Sequence, residues 1–365
     1  MRKLIPAFIA ILSTGLYILS SDTRLMLHIL YKRANLTSAV GTDRVRYGDL
    51  YRMSYLSAFK SADPLLQDIY TDTLNNIKRD INLYALCDSY LLSFVHTGKV
   101  FTGVKKFWGA RAVHYEKPVL DTTQKNILLI EMTERYAELF TNYKLIEAHF
   151  APVAPGNRTD TLPTFTKLNY GEPDNLLNKI FNPKVQESLE FNLFDYRFLT
   201  PLKELKANFN YTFFNRINPG VAISPGGKYL FLASTVNSAS KHSSFSKIDE
   251  KYIDTLVTSF NHIYHHYKHL GFDEVYLSII PNPVTIVAPQ MGEYNMLIPR
   301  IQDNPALKMP YIDVYKKFKA TRQPIYQYAD THWNKRGYTI WVNELNKAIT
   351  ANNKKIIVNS TPYPN

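Results

Sequence analysis

Short, largely apolar runs alternate along this chain with segments whose apolar residues recur at helical spacing. Residues 82–86 (NLYAL), 126–132 (NILLIEM), 228–233 (KYLFLA) and 275–280 (VYLSII) read as strands. A strand with one face in water shows polar residues at every second position. These runs do not, so both of their faces must be covered. The covering segments are visible. Residues 90–95 and 133–140 change to helical period. Residues 248–270 carry Ile253, Leu256, Val257, Phe260 and Ile263 on one stripe. Tyr338, Trp341, Val342, Leu345 and Ile349 mark a final helix, with Asn334 as its N-cap. The expected fold class is therefore α/β, a three-layer α/β/α sandwich with a largely parallel sheet.

Composition supports a folded chain: of 365 residues, 45% are apolar and 20% charged, which excludes extended disorder. Lys and Arg number 43 against 31 acids, a net charge of +12 that favours anionic partners. No dense basic block, zinc-finger spacing or helix-turn-helix pattern accompanies it, so nucleic acid is not an expected partner. The lone cysteine, Cys87, excludes an intrachain disulfide framework and a multi-cysteine metal site. Arg2 and Lys3 precede an uncharged run at 4–20 (LIPAFIAILSTGLYILS). Cleavage after Ser20 or Ser21 would place Ile18 or Leu19 where small residues are preferred, so the run reads as an uncleaved anchor with the remainder exported, a cleaved signal peptide and a buried N-terminal helix being the other readings. The expected organisation is an anchor and juxtamembrane segment at 1–35 and one domain at 36–365. A proline-rich insertion at about 151–206 interrupts it, carrying Pro152, Pro155, Pro163, Pro173, Pro183 and Pro201.

Two segments carry chemistry. Cys87-Asp88-Ser89-Tyr90 falls where a buried strand meets a helix, the position at which α/β sheets bind ligands. Ser89 is then a candidate nucleophile, with its own N–H facing a developing oxyanion; Asp88 or Ser89 acting only as a helix cap is the other reading. Ala329-Asp330-Thr331-His332-Trp333-Asn334 precedes the last helix. Asp330 two residues before His332 can hold one imidazole nitrogen and leave the other to take a proton from a serine; two surface loop residues are the alternative. Other segments are set aside. Gly48-Asp49-Leu50 lacks a serine, and His262, His265 and His266 lie on an amphipathic helix without the ligand company of a metal site. Cys87 reads as a small buried filler. Residues 99–111 (KVFTGVKKFWGAR) read as a half-buried helix with a solvated edge, or as a glycan contact.

The Cys87–Tyr90 block resembles the Gly-Asp-Ser block of SGNH hydrolases. Asp330-Thr331-His332-Trp333-Asn334 is similar to the closing signature of their DHHW branch, which includes the alginate O-acetyltransferase periplasmic subunits. Glu131-Met132-Thr133-Glu134-Arg135-Tyr136, Gly227-Lys228-Tyr229-Leu230-Phe231 and Tyr311-Ile312-Asp313-Val314-Tyr315 resemble further segments of that branch. Cys87 stands where the family has Gly, and the Ser block precedes the Asp-x-His segment, an order permuted relative to the alginate subunits. The resemblance implies an SGNH-like fold with Ser89, His332 and Asp330 as a triad. Arg135 and Tyr136 become pocket residues, and Asn282, after the 275–280 strand, the oxyanion candidate beside its reading as a proline-flanked turn residue. It implies no cofactor, a polysaccharide substrate and a multi-pass membrane O-acyltransferase partner on the periplasmic side of the membrane. The expected activity is O-acetyl transfer to an exported polysaccharide. A carbohydrate O-acetylesterase and a non-catalytic glycan-binding subunit are the alternatives.

Overall fold

The computed structural model describes residues 4–44, 46–60, 80–92, 98–112, 117–121, 123–152 and 185–359. The chain divides into two compact units, one formed by Met1–Ala62 with Thr166–Val221 and the other by Asp63–Phe165 with Ala222–Asn365.

The second unit carries the sheet. Its strands are β1 (Ile81–Leu86), β2 (Val104–Ala110), β3 (Lys125–Thr133) and, after the short β4 (Val221–Ile223) and β5 (Leu230–Leu232), β6 (Glu274–Ile280). The main sheet has the order β2-β1-β3-β6 and every pairing is parallel. A single parallel bridge from Leu277 to Tyr311 adds the start of a fifth position beyond β6. Parity along the strands explains the layers. Leu128, Ile130, Val275, Leu277 and Ile279 pack with Ile253, Leu256, Phe260 and Ile263 of the Glu250–His269 helix. Their neighbours Ile127, Leu129, Tyr276 and Ile280 pack with Tyr338, Trp341, Val342 and Leu345 of the Lys335–Asn359 helix. Helices thus cover both faces, as the unbroken apolar runs require. The Trp341 indole N–H donates to Ser278 Oγ at 2.9 Å, which locks the second helix onto β6.

The chain leaves β1 in one direction to β2 and reaches β3 on the other side. The carboxyl ends of β1 and β3 therefore border the point where strand order reverses, where open parallel sheets form a crevice.

The first unit is helical, with Leu4–Ser21, Thr23–Ala34, Asp49–Ser54, Val185–Phe194 and Thr200–Phe214 as its α-helices. Arg33 ties it together, donating to Phe191 O at 3.2 Å and lying 4.3 Å and 4.1 Å from the Phe191 and Tyr196 ring centres. Among the described residues no single helix is long and apolar enough to cross a membrane. The pair Ile5–Ser21 and Leu25–Ala34 passes by length and composition together, bent by 92°.

Three expectations change. Residues 36–365 do not form one unit, because 185–221 joins the N-terminal residues. Of the proline-rich stretch, 153–184 lies outside the described residues, whereas 185–206 is largely helical. Pro201 sits in the first turn of its helix, where a missing N–H costs nothing. Residues 104–110 are not helical but form β2, with Val104, Trp108 and Ala110 buried and Lys105 and Lys106 exposed. Phe101 is buried against Phe107 and Trp341, so these aromatics fill the core rather than present a sugar platform. The helix expected at 90–95 is seen as Ser89–Leu92; 93–97 lies outside the described residues.

Candidate active site

Ser89 begins a short helix directly beyond β1, and Asp88 shapes the turn that presents it. One Asp88 carboxylate oxygen accepts from Tyr90 N at 2.8 Å, the local bond of a helix cap. The other accepts from Thr133 N at 3.1 Å and from the Thr133 hydroxyl at the end of β3. Asp88 N in turn donates to Glu131 Oε2 at 3.0 Å. Capping thus falls to Asp88, and the Ser89 hydroxyl is left to another partner.

That partner is His332. Its Nε2 lies 2.8 Å from Ser89 Oγ, and its Nδ1 lies 2.6 Å from Asp330 Oδ1. Asp330 Oδ1 also accepts from His332 N at 2.9 Å, so one carboxylate fixes both the backbone and the ring. The loop is braced from below: Tyr326 pairs with Trp333 in an antiparallel bridge, Gln327 N donates to His332 O at 3.1 Å, and Gln327 Nε2 to Trp333 O at 3.1 Å. Tyr90 closes the arrangement. Its hydroxyl donates to Thr331 O, and its ring centre lies 4.8 Å from that of His332. The imidazole and the Asp330 side chain keep 16% and 15% exposure, so solvent reaches the group.

Two buried ionisable side chains flank the crevice. Burial, reinforced by the Asp88 carboxylate, pushes the Glu131 pKa well above the usual carboxylate range, and its Oε1 has no hydrogen-bond partner among the described residues. Arg135 is 6% exposed, and its Nε and Nη1 make no hydrogen bond among the described residues. Burial opposes its charge, yet the Tyr90 hydroxyl and Asp88 hold its pKa above the ordinary value. Its Cζ lies 5.6 Å from the Tyr90 ring centre and 5.0 Å from that of Tyr136. Arg135 is also a wall residue of a cavity of about 1030 Å³, with Glu134, His242, Ser243, Lys247 and Tyr252 among the others. It therefore connects that cavity to the ring stack on His332. Tyr136 is 38% exposed, its ring 6.4 Å from His242.

Asn282 is placed differently from the oxyanion expectation. Its Nδ2 donates to Ser244 Oγ at 3.0 Å and to His242 O at 3.4 Å, and its N–H to Glu134 Oε2 at 2.9 Å. Its donors are spent inside a buried network that also holds Thr285, so the turn reading describes it. Glu134, whose pKa burial raises, is the hub of that network. No local pattern marked it, because its partners come from three separate loops. Cys87 is buried, and burial first, then Glu131 and Asp88, pushes its thiol pKa well up, so it is an inert filler. His262 stacks on Tyr143 at 4.4 Å, and His266 lies 3.7 Å from Glu147.

A serine, an imidazole and a carboxylate in series form the arrangement that performs nucleophilic acyl transfer. No protein-family model, curated protein or solved structure matches the chain.

Proposed function

We propose that this protein is a serine-dependent O-acetyltransferase of SGNH type, acting on a polysaccharide outside the cytoplasmic membrane. The observation that carries the reading is the His332 ring held between Ser89 and Asp330 at 2.8 Å and 2.6 Å. With the Nδ1 proton held by Asp330, Nε2 accepts the Ser89 proton as Oγ bonds to the acetyl carbon. The Ser89 N–H and the Arg135 guanidinium, whose Nε and Nη1 make no hydrogen bond among the described residues, are the donors offered to the oxyanion. Collapse breaks the donor's ester bond, and the leaving donor oxygen takes its proton from His332. An acceptor hydroxyl then repeats these steps in reverse on the acetyl-Ser89 ester.

Transfer to sugar is favoured by the large cavity beside Arg135, which gives an acceptor chain room. The exposed apolar residues of the Leu4–Ser21 helix, Phe8 at 67% and Ile11 at 72% among them, support anchoring at the membrane. A multi-pass O-acyltransferase that delivers the acetyl group is the partner this reading brings with it. Hydrolysis is the second reading, favoured by the solvent access of the triad.

The test is acetate release from p-nitrophenyl acetate by the full chain in detergent, beside Ser89→Ala and His332→Ala. Loss of about 10³-fold or more in both variants is expected. Equal rates in parent and variants, all folded, would remove the reading. Adding a hydroxyl-rich oligosaccharide then separates the outcomes: acetylated sugar means transfer, unchanged acetate release means hydrolysis.

A further inference from the structure

The Thr200–Phe214 helix is built inside out. Of its 15 residues only Thr200 is buried. Its polar side chains, not its apolar ones, bind the first unit. Glu204 accepts from the Tyr51 hydroxyl and pairs with Lys60 at 2.9 Å. Asn208 Nδ2 donates to Ser57 Oγ at 2.8 Å, and Ser57 N returns a bond to Asn208 Oδ1 at 3.3 Å. Lys203 Nζ lies 3.3 Å from Asp195 Oδ1 and donates to the Tyr55 hydroxyl at 3.1 Å.

The opposite face is apolar and open. Leu202, Leu205, Phe209 and Phe213 are 62%, 67%, 50% and 69% exposed. At 3.6 residues per turn they fall within an arc of about 80°. A water-soluble helix places such a stripe against its own core. The sequence between 200 and 216 has one acid, Glu204, which is spent on the other face. Exposed Lys206 borders the stripe, and exposed Arg216 follows it, its Cζ 5.7 Å from the Phe214 ring centre. A second apolar surface belongs to the same unit: the Leu4–Ser21 helix, to which Asn192 Nδ2 is bonded through Ser20 Oγ at 3.0 Å. Leu193, Phe194 and Phe198, at 47%, 55% and 56%, carry the exposed apolar character along the chain between the two.

We infer that the Thr200–Phe214 helix is an interfacial membrane helix, its Leu202–Phe213 stripe set among the acyl chains and Lys206 and Arg216 at anionic headgroups. A lipid surface is the occupant that the composition fits. The stripe offers aromatic and aliphatic area without hydrogen-bonding groups, and its border carries only positive charge. The inference rests on the proposed membrane association but requires no catalytic activity.

The experiment places the environment-sensitive fluorophore NBD on the full chain at single cysteines in a Cys87→Ala background, reconstituted in phosphatidylcholine vesicles with and without phosphatidylglycerol. Leu12→Cys reports the N-terminal helix, Leu205→Cys, Phe209→Cys and Phe213→Cys the stripe, and Tyr211→Cys the far side. Should Cys87→Ala not fold, the same labels are placed with the buried Cys87 retained. The expected result is a several-fold rise in emission and quenching by doxyl lipid at 12, 205, 209 and 213, but not at 211, stronger at the stripe with phosphatidylglycerol. Lipid quenching at 12 with iodide quenching at the stripe would overturn the inference and leave the anchor standing. Protection of the stripe from both quenchers would assign it to a protein partner and overturn it too. Iodide access at 12 and at the stripe would remove both.

Discussion

Glu131 is a carboxyl group that the fold makes a weaker acid than a free one. Its Oε2 accepts the Asp88 N–H that shapes the turn before Ser89, while burial and the neighbouring Asp88 carboxylate oppose ionisation. The native state therefore binds this proton more tightly than the unfolded chain does. The resulting stability is complete below the ordinary Glu range and is lost as pH rises towards the elevated native value. Glu131→Gln keeps the acceptor and removes the proton, so its melting temperature should exceed that of the parent at about pH 8. The gap should close near about pH 4, below the free Glu pKa. Equal gaps at both pH values would mean that Glu131 is ionised in the fold. Asp330→Asn tests the other carboxylate. An amide does not hold the Nδ1–H tautomer, and turnover of an acetyl ester should fall by about 10⁴-fold with the melting temperature little changed. Asp330 and His332 were readable because they stand two positions apart in one loop. The Glu131–Asp88 contact joins positions 43 apart, one on β3 and the other in the turn after β1, and no local pattern encodes it.

The decisive element is the turn from Tyr326 to the final helix. Asn334 accepts from Arg336 N at 3.0 Å and Gly337 N at 3.2 Å, which makes it the N-cap that its position before the apolar stripe predicts. Its own N–H donates to Ile325 O at 2.9 Å, so one residue both starts the helix and closes the loop that holds His332. Asn334→Ala should cost about 1–2 kcal/mol in urea unfolding. Gly337 is required for a separate reason: a Cβ there would lie 2.3 Å from Ile325 O. Gly337→Ala must push the helix from the loop, at a cost of about 1–3 kcal/mol. Ester turnover should fall with it, because the displaced loop carries His332. Unchanged stability and turnover would show that the helix start moves independently of the loop. β2 shows where reading elements from sequence fails. Residues 99–111 tolerate a helical period, but hydrogen bonding to β1 makes 104–110 a strand, and that pairing is not a property of the segment.

At the scale of the molecule, Cys87 offers a probe of the sheet. It is 3% exposed between β1 and the nucleophile turn, its N–H bonded to Ala110 O at 2.9 Å. In the native protein it should resist a thiol reagent such as DTNB. Its rate of modification should rise with urea along the unfolding curve, because only opening of the sheet exposes it. Fast reaction in the absence of urea would mean that the turn before Ser89 opens locally. The same scale exposes the limit of the one-domain expectation. Chain proximity suggested an anchor followed by a single body, yet 185–221 assembles with the N-terminal residues through bonds such as Arg197 Nε to Asp43 Oδ1 at 2.8 Å.

By itself, the sequence determined the α/β class, the strands β1, β3 and β6, the Asn334 cap and the Asp330–His332 couple. Each depends on side-chain period or on neighbours a few residues apart, and short-range chemistry is written in order along the chain. Tertiary structure alone decided the order β2-β1-β3-β6, the burial of Arg135, the outward face of Leu202–Phe213, and the meeting of Ser89 with His332 across 243 positions. Those outcomes follow from which surfaces find one another once both faces of the sheet are covered, and packing between distant segments leaves no periodic trace in any one of them.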